Sequence, residues 1–285
     1  MRISVRHATI YRYEDAVHPE PHTFRLRPRE DGTQRLLHYE LEISPAPAGS
    51  AECLDQDGNV VREAWFKTPV PQLAVKSSFE IETLRNNPFD FMLADPDLAG
   101  LPLEYKEPLR TALAPYLGRS KGSEGVREFA RPVADATGWR TIAFLTALNR
   151  ELFDSVAHVV RDAGPPYPPE KTLERREGSC RDLAVLFCAV CRSMGIPARF
   201  VSGYEREAAF QERAYMHAWA EVYLAGGGWR GYDPSQGLAV ADRHVAVAAA
   251  ADPRLAAPIT GSYRGAARSR MEFTIEMIVD GAAPR

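Results

Sequence analysis

The stretch EGSCRDLAVLFCAVCRSMGIPARF, residues 177–200, contains three of the four cysteines of this 285-residue chain. Its Gly-Ser pair favours a turn and a helix cap, and the apolar run that follows predicts a buried helix, Cys180–Met194. Gly195 and Pro197 then end the helix. The question is whether these thiols are core side chains, metal ligands or, in one case, a nucleophile.

Cys188 and Cys191 form a C-x-x-C pair in the middle and end of the predicted buried helix. Zinc needs about four ligands, and the sequence offers no second cysteine pair and no closely spaced histidine pair. A thioredoxin-type motif would place its first cysteine at the helix start. We therefore expect both thiols, and also Cys53, to be structural, and we expect no metal and no cofactor.

Cys180 differs because it stands at the predicted helix N-terminus. The unpaired backbone N–H groups and the helix dipole favour a thiolate there, and the same groups can stabilise an oxyanion. Many structural cysteines also begin helices, so position alone leaves both roles open. A nucleophilic cysteine further requires a base and a group that orients the base.

His217 begins the strand pattern HAWAEVYL, in which His217 and Trp219 share one face and small or apolar residues form the other. Asp233 ends the next strand, GWRGYD. Taken alone, these are a half-exposed strand histidine and a turn-forming aspartate before proline. A hairpin through the intervening AGGG would bring Asp233 beside His217, where it could orient a base. Trp219 could then wall the site and bind substrate.

The first 84 residues predict β-structure, with four alternating segments and a hairpin whose turn is Asp57-Gly58. The acidic residues of that turn are spaced as in a calcium-binding loop. Val60 and Phe66 occupy the positions where such a loop requires Gly and Glu, so we expect a solvated turn and no calcium.

Helical spacing follows in three segments, residues 103–117, 124–138 and 141–162. Strand patterns return in four segments, residues 198–205, 216–225, 228–233 and 271–279. The third helix would carry His158 on its surface, and His244 would lie in a stretch, residues 238–268, that predicts mostly loop. The layout is α+β, with an N-terminal β-module, residues 1–84, ahead of a second domain, residues 85–285.

The composition is that of an ordinary globular protein, with 45% apolar and 26% charged residues. The net charge of −3 and the scattered basic residues give no reason to expect a nucleic-acid or membrane partner. The N-terminus lacks the apolar run of a signal peptide, and no stretch approaches the roughly 18 apolar residues of a membrane span. Because four cysteines are too sparse for a disulfide framework, we expect a cytoplasmic location.

The chain resembles the bacterial branch of the transglutaminase-like superfamily, which is related in core architecture to papain-like cysteine proteases. The resemblance rests on three ordered blocks, GSCRDLAVLFCAVCRSMGIPARFVSGY, HAWAEVYLAGGGW and GYDPSQG. The opening segment, with HTFRLRPRE, is similar to the N-terminal region that accompanies this domain in bacteria. The resemblance implies a buried helix carrying the cysteine, packed on an antiparallel β-sheet carrying His and Asp, behind an N-terminal β-sandwich-like module.

Carried over by position, the resemblance makes Cys180 the nucleophile, His217 the general base and acid, and Asp233 the group that holds the imidazole. It implies acyl transfer at an amide of a peptide or protein through a thioester. Hydrolysis, as in a cysteine protease, is favoured over protein-glutamine gamma-glutamyltransferase chemistry (cross-linking or deamidation), and a silent protein-binding module is a further alternative. The sequence does not define the substrate, the second oxyanion donor or the oligomeric state.

Overall fold

The computed structural model describes residues 1–94, 96–118, 123–161, 164–206 and 213–280. Its helices are α1 (Leu109–Leu117), α2 (Glu124–Ala136), α3 (Thr141–Ser155), α4 (Pro169–Arg175) and α5 (Cys180–Ser193). Its strands are β1 (Arg2–Pro19), β2 (His22–Phe24), β3 (Gln34–Ser44), β4 (Gly49–Leu54), β5 (Val60–Trp65), β6 (Val70–Thr83), β7 (Ala157–His158), β8 (Glu177–Gly178), β9 (Ala198–Glu205), β10 (His217–Leu224), β11 (Gly228–Asp233), β12 (Leu238–Ala239), β13 (His244–Ala250), β14 (Ile259–Thr260), β15 (Tyr263–Arg264) and β16 (Ser269–Val279). Among the described helices, none has the length and apolar character needed to cross a membrane.

Helix α5 begins and ends where the sequence signals placed its boundaries. The Asp182 carboxylate accepts hydrogen bonds from the backbone N–H and the hydroxyl of Ser179, each at 2.7 Å, which caps the helix N-terminus. After the last helical residue the chain reverses through Gly195, at φ 74°. A side chain at this position would clash with the backbone of Leu103, so glycine is required on two grounds.

Helix α5 packs on an antiparallel five-stranded sheet of order β12-β11-β10-β9-β13. Ala220, Val222 and Leu224, on the core face of β10, pack with the buried side of α5, and α2 and α3 contribute to the same core. Cys188 and Cys191 lie within it, where burial raises the pKa of Cys188 to about 11. The prediction that this pair packs as small apolar side chains is therefore confirmed.

The N-terminal module consists of two packed sheets. In the first sheet β1 pairs with β6 on one side and with β16 on the other, and β3 pairs with β6. The short strand β15 pairs with the last residues of β1. The second sheet has the order β14-β2-β5-β4. Phe24 and Ala64 from one sheet, with Leu26 just after β2, pack with Leu73 and Val75 from the other. The predicted α+β fold, with a transglutaminase-like core behind a sandwich-like β-module, is confirmed.

Helix α3 is shorter than predicted. The helical spacing continued to residue 162, but the helix ends at Ser155, and His158 lies in the short strand β7, which pairs in parallel with β8. The segment Val156-Ala-His-Val-Val160 is rich in β-branched residues, which lose side-chain freedom in a helix. This composition was the available signal for the early helix end.

Residues 238–268 contain more regular structure than predicted. They include β13, whose sequence HVAVAAA is buried throughout its length. Alanine has low strand propensity, but strand formation here follows from pairing with β9 and burial against the N-terminal module. This part of the loop prediction is wrong.

The C-terminal strand β16 belongs to the first sheet of the N-terminal module. It pairs with β1 from Tyr13, opposite Ser269, to Ile3, opposite Val279. The module therefore includes strands from both ends of the chain. A folding boundary between residues 84 and 85 stays a prediction.

Candidate active site

Cys180 is the first residue of α5, and its half-buried side chain lines a cavity of about 370 Å³. Burial opposes ionisation of this thiol. Hydrogen bonds from the His158 and His217 side chains and from the backbone N–H of Ala218 outweigh that effect and lower its pKa from 9 to about 6. At pH 7 such a thiol is about nine-tenths thiolate.

His217 and Asp233 are brought together by the β10–β11 hairpin. Antiparallel pairing of Ala220 with Tyr232 places the first residue of β10 beside the last residue of β11. The His217 Nε2 lies 2.6 Å from the Asp233 Oδ2. Since Nε2 is occupied by the carboxylate, Nδ1 is the ring nitrogen that remains for Cys180.

The Asp233 carboxylate is fully buried and fully hydrogen-bonded. Its Oδ1 accepts bonds from the Ser235 backbone N–H at 3.0 Å, the Ser235 hydroxyl at 2.7 Å and the Gln236 backbone N–H at 3.3 Å. Although burial raises its pKa, the charge of His217 and the hydrogen bonds from His217 and His244 hold the pKa far below the usual range. The carboxylate is therefore ionised at all physiological pH values.

The His217 imidazole has a raised pKa, so it can hold the proton that the Cys180 thiol gives up. Burial lowers its pKa, but the Asp233 charge and hydrogen bond, followed by the interactions with Cys180, raise it well above 6.5. A depressed thiol pKa beside a raised imidazole pKa favours the thiolate–imidazolium pair, which is the reactive form of a cysteine–histidine couple.

His244 is a second histidine on the same carboxylate, and sequence reasoning missed it. It begins the buried strand β13, and its Nε2 lies 2.9 Å from the Asp233 Oδ2. An ionised carboxylate oxygen only accepts hydrogen bonds, so the Nε2 of His244 is the ring nitrogen that carries the donated hydrogen. The strand-like alternation of HVAV after this residue was the one local signal of its position.

His158 is the third histidine of the site and was also missed. It is exposed and lines the cavity beside Cys180, and its interaction with the thiol helps to lower the pKa of Cys180. The parallel pairing of β7 with β8 sets its position, because β8 leads directly through Ser179 into α5. The expectation that a helix carries this histidine is wrong, whereas its exposure at the surface is as expected.

Two family models match this chain. That of the transglutaminase-like superfamily covers residues 127–234, and that of the bacterial transglutaminase-like N-terminal region covers residues 3–82. The chain contains a transglutaminase-like core behind a bacterial transglutaminase-like N-terminal region. The first match includes the proposed Cys, His and Asp positions, and the second spans β1–β6, the part of the N-terminal module that comes from the start of the chain.

Similar proteins cover nearly the whole transglutaminase-like chain. The protein ML0607 of Mycobacterium leprae is 28% identical over 288 residues, covering 97% of this chain and 98% of its own, and Rv2569c of Mycobacterium tuberculosis is 26% identical over 292 residues, covering 97% and 92%. A crystal structure from Cytophaga hutchinsonii, named a "Putative Cysteine Protease", superposes with a TM-score of 0.71 at 20% identity and covers 100% of this chain and 93% of that one. The likeness shows that the two molecules share a fold.

Trp219 lies behind the histidines of the transglutaminase-like site. It is buried among Val201, Ala246 and Ala249, and it is not among the described residues that line the cavity. Its ring stacks 6.3 Å from the His217 ring and meets the His244 ring edge-on at 5.1 Å. This position supports both imidazoles from the rear. The predicted contact with substrate stays a prediction.

His217, Asp233 and His244 also form a group of donors suited to a metal ion, with ligand atoms within 4.8 Å of one another. Zinc accepts imidazole and carboxylate ligands. Both Nε2 atoms here lie 2.6 and 2.9 Å from a single oxygen, whereas two ligands on tetrahedral zinc lie about 3.4 Å apart. The distances are those of a hydrogen-bonded group. The absence of a metal stays a prediction.

Proposed function

We propose that this transglutaminase-like protein is a cysteine-dependent hydrolase that cleaves amide bonds of a peptide or protein through a thioester. One observation carries the proposal: Cys180 and His217 line one cavity, and the His217 Nε2 lies 2.6 Å from the buried carboxylate of Asp233. Interactions with His217 and His158 lower the pKa of the Cys180 thiol to about 6. Nucleophile, base and orienting carboxylate are the groups that covalent acyl transfer requires.

In the first step the Cys180 thiolate attacks the amide carbon, and the carbonyl π electrons move onto oxygen. The backbone N–H of Cys180, in the first turn of α5, has no acceptor within the helix and can stabilise this oxyanion. His158 lines the same cavity and interacts with the thiol, so a carbonyl oxygen in contact with that sulfur lies within its reach. His158 is our candidate for the second oxyanion donor.

In the second step the oxyanion re-forms the carbonyl, the C–N bond breaks, and the amine leaves. The His217 imidazolium donates its Nδ1 proton to the departing nitrogen, because Nε2 is held by Asp233. The acyl group is now a thioester of Cys180. The ionised carboxylate stabilises the imidazolium without accepting its proton.

In the third step water attacks the thioester while the Nδ1 of His217 removes its proton. The second tetrahedral species collapses, the C–S bond breaks, and the thiolate and a carboxylic acid are released. A primary amine reacting in place of water would form a new amide by the same proton transfers. The identity of that nucleophile therefore decides between hydrolysis and cross-linking.

The proposal is tested by incubating a proteome-derived peptide mixture with the wild type, Cys180→Ala and Cys188→Ala, with a biotinylated primary amine present. We expect mass spectrometry to find new peptide termini with the wild type and with the folded Cys188→Ala control, and none with Cys180→Ala. Cleavage that persists in Cys180→Ala contradicts the proposal. If the biotinylated amine is incorporated at glutamine and no peptide is cleaved, the proposal of hydrolysis is replaced by one of amine transfer. If the protein binds peptides but forms neither product, a silent binding module is supported.

A further inference from the structure

The cavity beside Cys180 has two walls of different origin and chemistry. One wall comes from the start of α5, the segment of residues 158–161 and the start of β10. The opposite wall comes from the N-terminal module and the C-terminal strand. We define the β1–β16 wall as the six residues that these two strands contribute, His7, Thr9, Tyr11, Met271, Phe273 and Ile275.

The β1–β16 wall follows directly from strand register. The pairs Tyr11–Met271, Thr9–Phe273 and His7–Ile275 stand opposite one another in the antiparallel ladder. Side chains two residues apart share a face, so all six point to the same side of the sheet. The alternate positions of β16, which include Glu272 and Glu276, lie on its other face.

The β1–β16 wall is uncharged. The two ring nitrogens of His7 bond to the Tyr204 hydroxyl at 2.8 Å and the Thr9 hydroxyl at 3.1 Å, and burial lowers its pKa to about 4. At neutral pH this wall presents a phenol, a thioether, a phenyl ring and an aliphatic side chain. The Arg213 guanidinium lies 4.6 Å from the centre of the Phe273 ring, so a cation already occupies that ring face. A formal charge placed against the thioether or the aliphatic side chain would lose water and gain no partner there.

The acidic and basic side chains that line the cavity, those of Arg161, Arg181 and Glu205, all lie outside the β1–β16 wall. Arg161 holds the buried Asp182 carboxylate at 2.7 and 3.1 Å, and Arg181 donates to the Arg161 carbonyl at 2.9 Å. Glu205 pairs with Arg243 at 3.4 Å. These groups already form polar contacts beside the thiol, which leaves the β1–β16 wall as the apolar half of the cavity.

Apolar surface is exposed inside this cavity. Met271 on the β1–β16 wall is 46% exposed, and Val160 on the opposite side is 63% exposed, although both line the same space as Cys180. Covering such side chains with an apolar group is favourable, and exposed apolar surface next to a reactive group marks a recognition site.

We infer that the β1–β16 wall is the specificity surface of the proposed hydrolase and binds an uncharged aliphatic or aromatic side chain next to the scissile amide. This inference rests on the proposed function, because the thiol sets where the amide must lie. It assigns substrate selection to the N-terminal module. A basic side chain at the same position is disfavoured, because it would lose water against the apolar side chains and lie near the Arg213 guanidinium.

The test uses alkylation of Cys180, which needs recognition near the thiol but no turnover. Carbobenzoxy-Leu and carbobenzoxy-Lys chloromethyl ketones are compared by the ratio of their rates of Cys180 alkylation. We expect a Leu:Lys ratio of at least about 10 in the wild type, the scale of discrimination by apolar pockets. Met271→Glu should reduce the ratio several-fold, because the new carboxylate attracts the lysine ammonium group and removes apolar surface. Ile278→Glu, at a 65% exposed position on the opposite face of the same strand, should leave it unchanged.

The outcomes separate this inference from the proposed function. A ratio near 1, or an equal effect of both variants, overturns the inference whether or not the protein cleaves peptides. A ratio above 10 that Met271→Glu lowers supports it. Peptide cleavage, measured separately with the same preparations, decides the proposed function, and circular dichroism confirms that both variants are folded.

Discussion

His217→Ala should shift the alkylation pH profile of Cys180 upward. In the wild type the thiol pKa is about 6, lowered in part by the His217 hydrogen bond and charge. The variant loses both, so the midpoint should rise toward the ordinary value of 9, with the His158 and Ala218 hydrogen bonds still opposing a full return.

The size of the effect depends on pH. With a full return to 9, the thiolate fraction falls about 90-fold at pH 7 and about 900-fold at pH 5. Each remaining thiolate is more basic and, with a Brønsted coefficient of about 0.45, reacts about 20-fold faster. The net loss of rate is therefore only about 4-fold at pH 7 but about 40-fold at pH 5. The midpoint and the acidic limb are the informative measurements.

Iodoacetamide labelling between pH 4 and 9, with each cysteine quantified by mass spectrometry, measures this profile. Cys53 is exposed and is replaced by serine to avoid competing signal, whereas burial raises the pKa of Cys188 and Cys191 and protects them in the native state. A profile in His217→Ala that coincides with the wild type, with rates at pH 5 within twofold, would refute the Cys–His couple. His158→Ala, measured in parallel, should give a smaller upward shift.

Two further outcomes are expected. Asp233→Asn should lower kcat about 10³- to 10⁴-fold, because the imidazole loses its orienting carboxylate. His244→Gln should lower kcat only about 10-fold, because it removes one hydrogen bond to the same carboxylate. KM should stay nearly constant in both variants; equal losses of kcat, or a change in KM alone, would contradict this order. For His7, whose folded pKa of about 4 lies below 6.5, the unfolded chain binds a proton first as pH falls, so about 3 kcal/mol of stability is lost between pH 6.5 and 4. Urea unfolding of His7→Gln should show a correspondingly flatter pH dependence, and a slope identical to the wild type would exclude this linkage.

The parts of the site that were predictable depend on local sequence. Helix α5 has its capping residue, its apolar face and its terminating glycine within one short stretch, so the position of Cys180 follows from neighbouring residues. His217 and Asp233 are joined by a single tight hairpin, and the alternation of β10 determined which face His217 occupies. Their predicted proximity is what the structure shows, at 2.6 Å.

The parts that were missed depend on long-range pairing. His244 reaches Asp233 because β13 pairs with β9 across the sheet from β10, and no local pattern specifies that neighbour. His158 reaches Cys180 only because α3 ends early and β7 pairs with β8. The β1–β16 wall forms because β1 and β16, more than 250 residues apart in the chain, pair in one antiparallel ladder. The hydrophobic periodicity of a single sequence does not indicate which distant strand will pair with a given strand.

The N-terminal module also completes the sheet that carries the proposed catalytic base. Strand β13 is the edge of that sheet, so its outward backbone groups need partners. The Gln34 side-chain amide bonds the N–H and C=O of Ala246 at 2.9 and 2.8 Å, and that of Asn59 bonds both groups of Ala249 at 2.9 Å. Two side chains of the module thus occupy the place of a sixth strand.

This edge support reaches the carboxylate of the site. Strand β13 begins with His244, whose Nε2 bonds the same Asp233 carboxylate as His217. The two side-chain amides that hold β13 in place therefore also hold His244. A second connection runs from His7 to the Tyr204 hydroxyl on β9, the strand beside β10. A displacement of the module by even 1 Å would break these bonds, which are all 2.9 Å or shorter. The surface inferred to select the substrate and the strand that orients the proposed base are therefore parts of one hydrogen-bonded unit.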